Sequence, residues 1–339
     1  MGIAAFTDSG RKLSVRLKEA FLGEFEIISY QGNLGDFCSQ CFSQAEVIIF
    51  IGACGIAVRA IAPFVKSKLT DPAVLVMDEK GKFAISLLSG HIGGANEMAH
   101  RLAGLTGGTA VVTTASDVND KIAIDVFAKK NNLHIASMTA AKKTAAAIVA
   151  GKPVGFYCAG KVEGEIPSEL TRIFSPAEAS KMQHLIWISP QYPREMRQME
   201  NVLHLIPRNI VLGLGCRRGK DAQSIHRCVE AALFEAGISP HALSLAASID
   251  LKKNEAGLLE FCSRKNIPFI TFSAEQLMAV KGEFSASEFV LKTTGADNVC
   301  ERSALLAAGE KGKLIDKKHA GSGVTVAIAS KQWRVSFEK

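Results

Sequence analysis

Two α/β lobes with mainly parallel sheets, joined by a smaller irregular middle region, are the fold class this sequence predicts. Three observations carry the expectation. Short β-branched runs alternate with helix-period stretches in the first third, and the same alternation returns after Asn209. Between them the chain is punctuated by Pro167, Pro176, Pro190, Pro193 and Pro207. Strands alternating with helices imply a parallel sheet covered by helices. Prolines scattered through a stretch imply turns and irregular chain.

Taken in order, strands are expected at 3–6, 25–29, 47–51, 73–77, 83–87 and 110–113. Helices at 11–21, 34–42, 56–65 and 95–105 fall between them, each with apolar residues at helical spacing. The runs 73–77 and 83–87 are joined through Asp78-Glu79-Lys80-Gly81-Lys82 and read as a hairpin. After Asn131 come an alanine-rich helix, 140–150, and a strand, 154–158, before the proline-punctuated stretch. The second lobe begins with a strand at 210–214 that runs through a glycine loop into a helix at 221–236. Strand 243–248, helix 255–265, strand 268–272, helix 299–308 and strand 324–329 complete it. The domains are therefore placed at 1–133, 134–206 and 207–339, more than one because 339 residues exceed a typical domain of about 100–200. No internal repeat is apparent.

Apolar residues form 47% of the chain and charged residues 22%, enough for a sizeable core. The formal charge of +7 suits an acidic ligand. Without a basic run, and with three Tyr and two Trp, the chain does not resemble a nucleic-acid binder; a small acidic molecule is expected instead. The start reads as a first strand without the basic flank and apolar core of a signal peptide. The longest apolar stretch, 47–58, falls short of the roughly 20 residues of a membrane helix. A cytoplasmic location and no membrane partner are expected. The eight cysteines are dispersed, which argues against a disulfide scaffold. Cys38 and Cys41 form a C-x-x-C within an expected helix, with no second pair to complete a zinc set, so buried thiols are the simpler reading.

Two loops could carry chemistry. Ser89-Gly90-His91-Ile92-Gly93-Gly94-Ala95-Asn96 joins a strand to a helix. Amides at a helix start can hold an anion or a developing oxyanion, and a histidine at a strand exit can serve as a general base. The plainer alternative is a tight turn with a solvated histidine. Upstream, Arg59 lies one turn into a helix after Gly52-Ala53-Cys54-Gly55, where it could meet a ligand carboxylate or form a surface ion pair.

The second loop, Gly213-Leu214-Gly215-Cys216-Arg217-Arg218-Gly219-Lys220, has glycines spaced one residue wider than the dinucleotide fingerprint. It also lacks the Gly-Lys-Ser/Thr ending of a phosphate loop. Arg217, Arg218 and Lys220 suggest carboxylate recognition by cations and backbone amides, against a solvated basic turn. Asp250 and Lys252 follow a strand and could face the same cleft. His226 reads as structural, His319 as exposed, and 293–298 as a capping turn.

Together these segments resemble the cobalt-precorrin-5A hydrolase family of anaerobic cobalamin biosynthesis. The likeness rests on Gly55 to Pro63, Lys68 to Val74, Asp78-Glu79 and Leu87 to Asn96 in the first lobe. In the second it rests on Gly213 to Gly219 and Ala247 to Glu255. The second lobe alone is similar to a small stand-alone protein of the aerobic pathway.

The family resemblance implies hydrolysis of the δ-lactone of a ring-contracted cobalt tetrapyrrole with release of acetaldehyde. It implies a cobalt-corrinoid substrate rich in carboxylates, neighbouring pathway enzymes as candidate partners, and no cofactor of the protein's own, since cobalt arrives within the substrate. On that basis His91 is expected to activate water, with Glu97 as the reserve base. The N–H groups of Gly93, Gly94 and Ala95 are expected to steady the oxyanion, with Asn96 beside them. Arg59, Arg217, Arg218, Lys220 and Lys252 are expected to hold substrate carboxylates. The rival readings are an NADP-linked oxidoreductase using the Gly213 loop and a non-catalytic corrinoid carrier.

Overall fold

The structure, a computed structural model, describes residues 1–67, 70–119, 121–192 and 201–338, with Ser116 through its backbone alone. Lys68, Leu69 and Pro193 lie outside the described residues. The chain divides into two compact units, Met1–Val126 and Phe127–Lys339.

The first unit contains β1 (Gly2–Ala5), α1 (Asp8–Ala20), β2 (Ile28–Ser29), α2 (Leu34–Gln44), β3 (Val47–Ile51) and α3 (Cys54–Ile61). β4 (Ala73–Met77), β5 (Phe83–Leu88), α4 (Ala95–Thr106), β6 (Thr109–Val111), α5 (Ala115–Val118) and the start of α6 (Ile124–Lys130) follow. The strands form one sheet in the order β2-β1-β3-β4-β5-β6. β3 is buried along its whole length because helices cover both of its faces. Ile49 and Ile51 pack with Leu13 and Leu17 of α1, while Ile48 and Phe50 pack with Phe37 of α2 and Ala57 and Ile61 of α3. Each of the Ile, Leu and Phe side chains contributes roughly 1.5–3 kcal/mol by leaving water.

Two boundaries differ from expectation. α3 stops at Ile61 rather than at 65; Ala62 still has helical backbone, but Pro63 has no N–H with which to continue the hydrogen-bond ladder. β2 keeps two residues of the expected five; Phe25 and Ile27 still pack against the core, from irregular chain.

Every pairing in this sheet is parallel except β4 with β5. The reversal is made by Asp78, whose carboxylate accepts from the N–H groups of Lys80 at 2.9 Å and Phe83 at 2.7 Å. β5 and β6 therefore leave the sheet on the edge opposite to the exits of β1, β3 and β4.

The second unit opens with β7 (Leu133–Ile135), α7 (Met138–Val149), β8 (Val154–Cys158), β9 (Lys161–Glu163), β10 (Leu170–Arg172), α8 (Pro176–Ala179), β11 (His184–Ile188) and β12 (Val202–Pro207). β10-β8-β11-β12-β7 form a five-stranded sheet, parallel but for β7. The middle region is thus more regular than its prolines predicted. Pro176 starts α8, and Pro207 is the last residue of β12, so these prolines bound elements rather than break them.

β13 (Ile210–Cys216), α9 (Ala222–Glu235), β14 (Leu243–Ile249), α10 (Ala256–Lys265), β15 (Phe269–Phe272), α11 (Ala274–Ala279), α12 (Glu288–Thr294), α13 (Cys300–Ala308), β16 (Lys313–Gly321), β17 (Val324–Ser330) and β18 (Arg334–Ser336) complete the chain. Their main sheet runs β15-β14-β13-β17-β16, with β15, β14 and β13 parallel. β16 went unread because it is an edge strand with half its residues in water, so its sequence is polar. Among the described residues no helix is long and apolar enough to cross a membrane.

Candidate active site

Because β5 and β6 are parallel neighbours, the chain segments after them share one edge of the first sheet. The first carries His91 into α4, and the second carries Asp117 on α5 and Asp125 in the first turn of α6. His91 Nε2 lies 2.7 Å from Asp117 Oδ2, and its Nδ1 lies 3.2 Å from Asp125 Oδ1. The side chains of His91 and Asp125 are 15% and 14% exposed, that of Asp117 38%.

Hydrogen bonding to Asp125 raises the His91 pKa, against burial and with help from Asp117. A carboxylate oxygen faces each ring nitrogen, so both nitrogens are placed to donate when the ring is protonated. An imidazolium has no lone pair with which to accept a proton. His91, the expected general base, has both ring nitrogens turned to carboxylates.

Asn96 fixes the same carboxylate from the other side. It is buried; its Oδ1 accepts from Ser86 Oγ at 2.7 Å, and its Nδ2 donates to Thr114 Oγ1 at 2.9 Å and to Asp117 Oδ2 at 3.1 Å. Gly90 is required here, since a Cβ would press into the Asn96 carboxamide. Asn96 thus holds the site together rather than reaching out to a ligand.

The expected oxyanion donors are also largely engaged. Gly94 N–H donates to the His91 carbonyl at 3.0 Å and Ala95 N–H to the Ser89 carbonyl at 3.2 Å. Of the three amides, that of Gly93 is absent from these turn bonds. Ser89 itself has a φ of 56°. Its Oγ is buried without a hydrogen-bond partner among the described residues. Strained backbone and an orphaned hydroxyl beside a charged cluster are features found at functional sites.

Other expected residues fall elsewhere. Glu97 is exposed on α4, where its charge acts on Arg101. Arg59 donates to the Gly55 carbonyl at 3.3 Å, at the start of α3. That end of α3 belongs to the edge where β3 and β4 exit, away from His91. Asp71, within the segment that carried the resemblance, is buried and caps the N–H groups of Lys66 and Ser67 at 2.8 and 2.9 Å. Cys38 and Cys41 are buried on α2, with burial pushing their thiols up to about 11 and about 12, which makes them inert packing groups.

In the second unit the exits of β13 and β14 bring the Gly213 loop beside 250–255. Glu255 joins them: its Oε1 accepts from Gly219 N–H at 2.6 Å, and its Oε2 meets Lys252 Nζ at 3.0 Å. Lys252 is therefore turned to Glu255 rather than outward. The Arg217 N–H donates to the Gly323 carbonyl at 2.9 Å, so the loop's amides are partly spent as well. The arginine side chains of Arg217 and Arg218 are exposed, with Lys220 half-buried beside them. Gly213 serves packing and not a ligand: a Cβ there would run into the Cys300 carbonyl of α13.

Asp117, Asp125 and Glu255 are the site residues that sequence reasoning missed. Asp125 looks like an ordinary acid in a helix's first turn. Asp117 gains meaning only once β5 and β6 are known to be parallel neighbours. His226 and His319 are also paired, with Glu230 at 3.0 Å and with Asp316 at 2.7 Å and Glu235 at 3.1 Å; His319 is half-buried on β16, not merely exposed.

A family model described as cobalamin synthesis G N-terminal matches residues 36–117, which include His91 and Asp117. One described as cobalamin biosynthesis central region matches 122–207, which include Asp125, and one described as cobalamin synthesis G C-terminus matches 210–329. The chain is 36% identical over 319 residues to the cobalt-precorrin-5A hydrolase of Salmonella typhimurium, covering 91% of this chain and 88% of that protein. It is 33% identical over 317 residues to that of Priestia megaterium, covering 90% and 84%. Protein CobE of a Sinorhizobium species is 35% identical over 121 residues, 35% of this chain and 79% of that protein.

Proposed function

The chain belongs to the cobalt-precorrin-5A hydrolase family of cobalamin biosynthesis, and we propose that it carries out that family's reaction. It opens the δ-lactone of the ring-contracted cobalt-corrinoid intermediate with water and releases acetaldehyde. The observation that carries this reading is likeness to a hydrolase of the same name through nearly the whole chain, all three segments included.

The catalytic centre is placed at His91, Asp117 and Asp125. Two carboxylates within hydrogen-bond reach of one histidine, whose pKa they raise, are a constellation suited to proton-transfer chemistry. Arg217, Arg218 and Lys220 hold the substrate's peripheral carboxylates by charge. The reaction needs no cofactor of the protein's own, because the cobalt belongs to the substrate, and the enzyme works in the cytoplasm.

The test is acetaldehyde formation. Purified protein mixed with the lactone-bearing intermediate is expected to release acetaldehyde at a rate proportional to enzyme. Binding of the intermediate without acetaldehyde would make the protein a carrier and overturn the proposal.

A further inference from the structure

We propose that Asp117 is the group that touches the reacting water, and that His91 and Asp125 act through it as positioning residues. This rests on the placement of the catalytic centre just described and assigns the roles within it.

Three observations carry it. Both nitrogens of His91 face carboxylate oxygens, Asp117 at 2.7 Å and Asp125 at 3.2 Å, so neither is aimed at a substrate. Exposure then ranks the groups: Asp117 is 38% exposed where its two partners are near 15%, so water and ligand reach the cluster at Asp117. Finally, Asp117 Oδ2 is gripped twice, by the His91 ring and by Asn96 Nδ2 at 3.1 Å, and Asn96 is itself locked by Ser86 and Thr114. A carboxylate this firmly aimed is preorganised for one task.

The step balances as follows. Water attacks the lactone carbonyl carbon and Asp117 takes its proton, while the carbonyl π pair moves onto oxygen. That pair returns as the ring C–O bond breaks, and Asp117 delivers the proton to the departing alkoxide. One water has been added and Asp117 is again a carboxylate. The His91 imidazolium keeps its protons throughout, holding Asp117 in place and offsetting its charge.

The experiment compares acetaldehyde release by the full-length wild type with that of Asp117→Asn, Asp117→Gly, His91→Gln and Asp125→Asn. Asp117→Asn is expected to lose about 10²–10⁴-fold in kcat, the usual contribution of a general base, with KM little changed. Asp117→Gly is expected to regain rate with added formate, which supplies the missing carboxylate. Asp125→Asn is expected to move the alkaline limb of the pH profile to lower pH, because His91 loses its main proton-holding partner; a merely structural role would not move it. Full activity in Asp117→Asn beside an inactive His91→Gln would overturn the inference and keep the site, with the imidazole itself as base. Loss of rate in Asp117→Gly without formate rescue would also overturn it. Near-normal rates in both Asp117→Asn and His91→Gln would instead remove the catalytic centre from this edge altogether.

Discussion

His91 and Asp125 are joined Nδ1 to Oδ1 at 3.2 Å, and that contact is the leading reason the imidazole pKa is raised. A histidine whose folded pKa lies above its ordinary 6.5 binds protons more tightly when folded. Its stabilisation is fully present below that ordinary value and is lost as pH rises through the folded one. The wild type should therefore exceed His91→Gln in stability by more at pH 6 than at pH 9. Urea denaturation of both proteins across this range checks it, and a gap that widens with rising pH would contradict the ion cluster.

Arg59 stands at the edge of the first sheet where β3 and β4 exit, whereas His91 stands at the other. Strands of five residues separate these edges by about 16 Å, at roughly 3.3 Å per residue. Arg59→Ala is accordingly expected to change kcat for acetaldehyde release by less than about twofold. A loss of tenfold or more in kcat would mean that the two edges serve one site.

That separation marks where the sequence stopped being legible. The hairpin through Asp78 to Lys82 could be read from its residues, and so could the buried run of β3, because both are local. What followed from the hairpin could not: one antiparallel pairing turns β5 around and sends His91 to the far edge from Arg59. Asp117 and Asp125 were hidden for the same reason, since their meeting with His91 depends on β6 lying parallel to β5, 26 and 34 residues further along the chain. The basic character of the Gly213 loop was plain, but Glu255 and its grip on Gly219 and Lys252 were not. An isolated Glu at a helix start gives no hint that it faces a loop from another strand.

Arg218 and Lys220 make no ion pair among the described residues, in contrast to Lys252. If they hold substrate carboxylates, the doubled variant Arg218→Ala, Lys220→Ala should weaken corrinoid binding and flatten its dependence on salt, because exposed charges are screened within about 10 Å at 0.1 M. Titration of the cobalt-corrinoid substrate, followed by absorbance at several ionic strengths, measures both. Unchanged affinity and an unchanged salt slope would make this a solvated turn.

Glu255 is the fold's own anion in that loop. Burial pushes its carboxyl up, but hydrogen bonds from Lys252 and the Gly219 amide outweigh burial and leave the pKa below its ordinary 4.5. A depressed carboxylate contributes stability above its unfolded pKa and loses it as pH falls through the folded one, so this contribution persists at neutral pH. Glu255→Gln removes the charge and leaves the Lys252 ammonium, 17% exposed, without its partner. The cost should be about 1–3 kcal/mol at pH 7, the usual penalty for stranding a buried polar group. Adding Lys252→Met should recover part of it, because the stranded charge is then gone and an apolar side chain of similar length fills its place. Urea denaturation of the two single variants and the double variant settles the matter: additive losses would mean that Lys252 and Glu255 are not coupled.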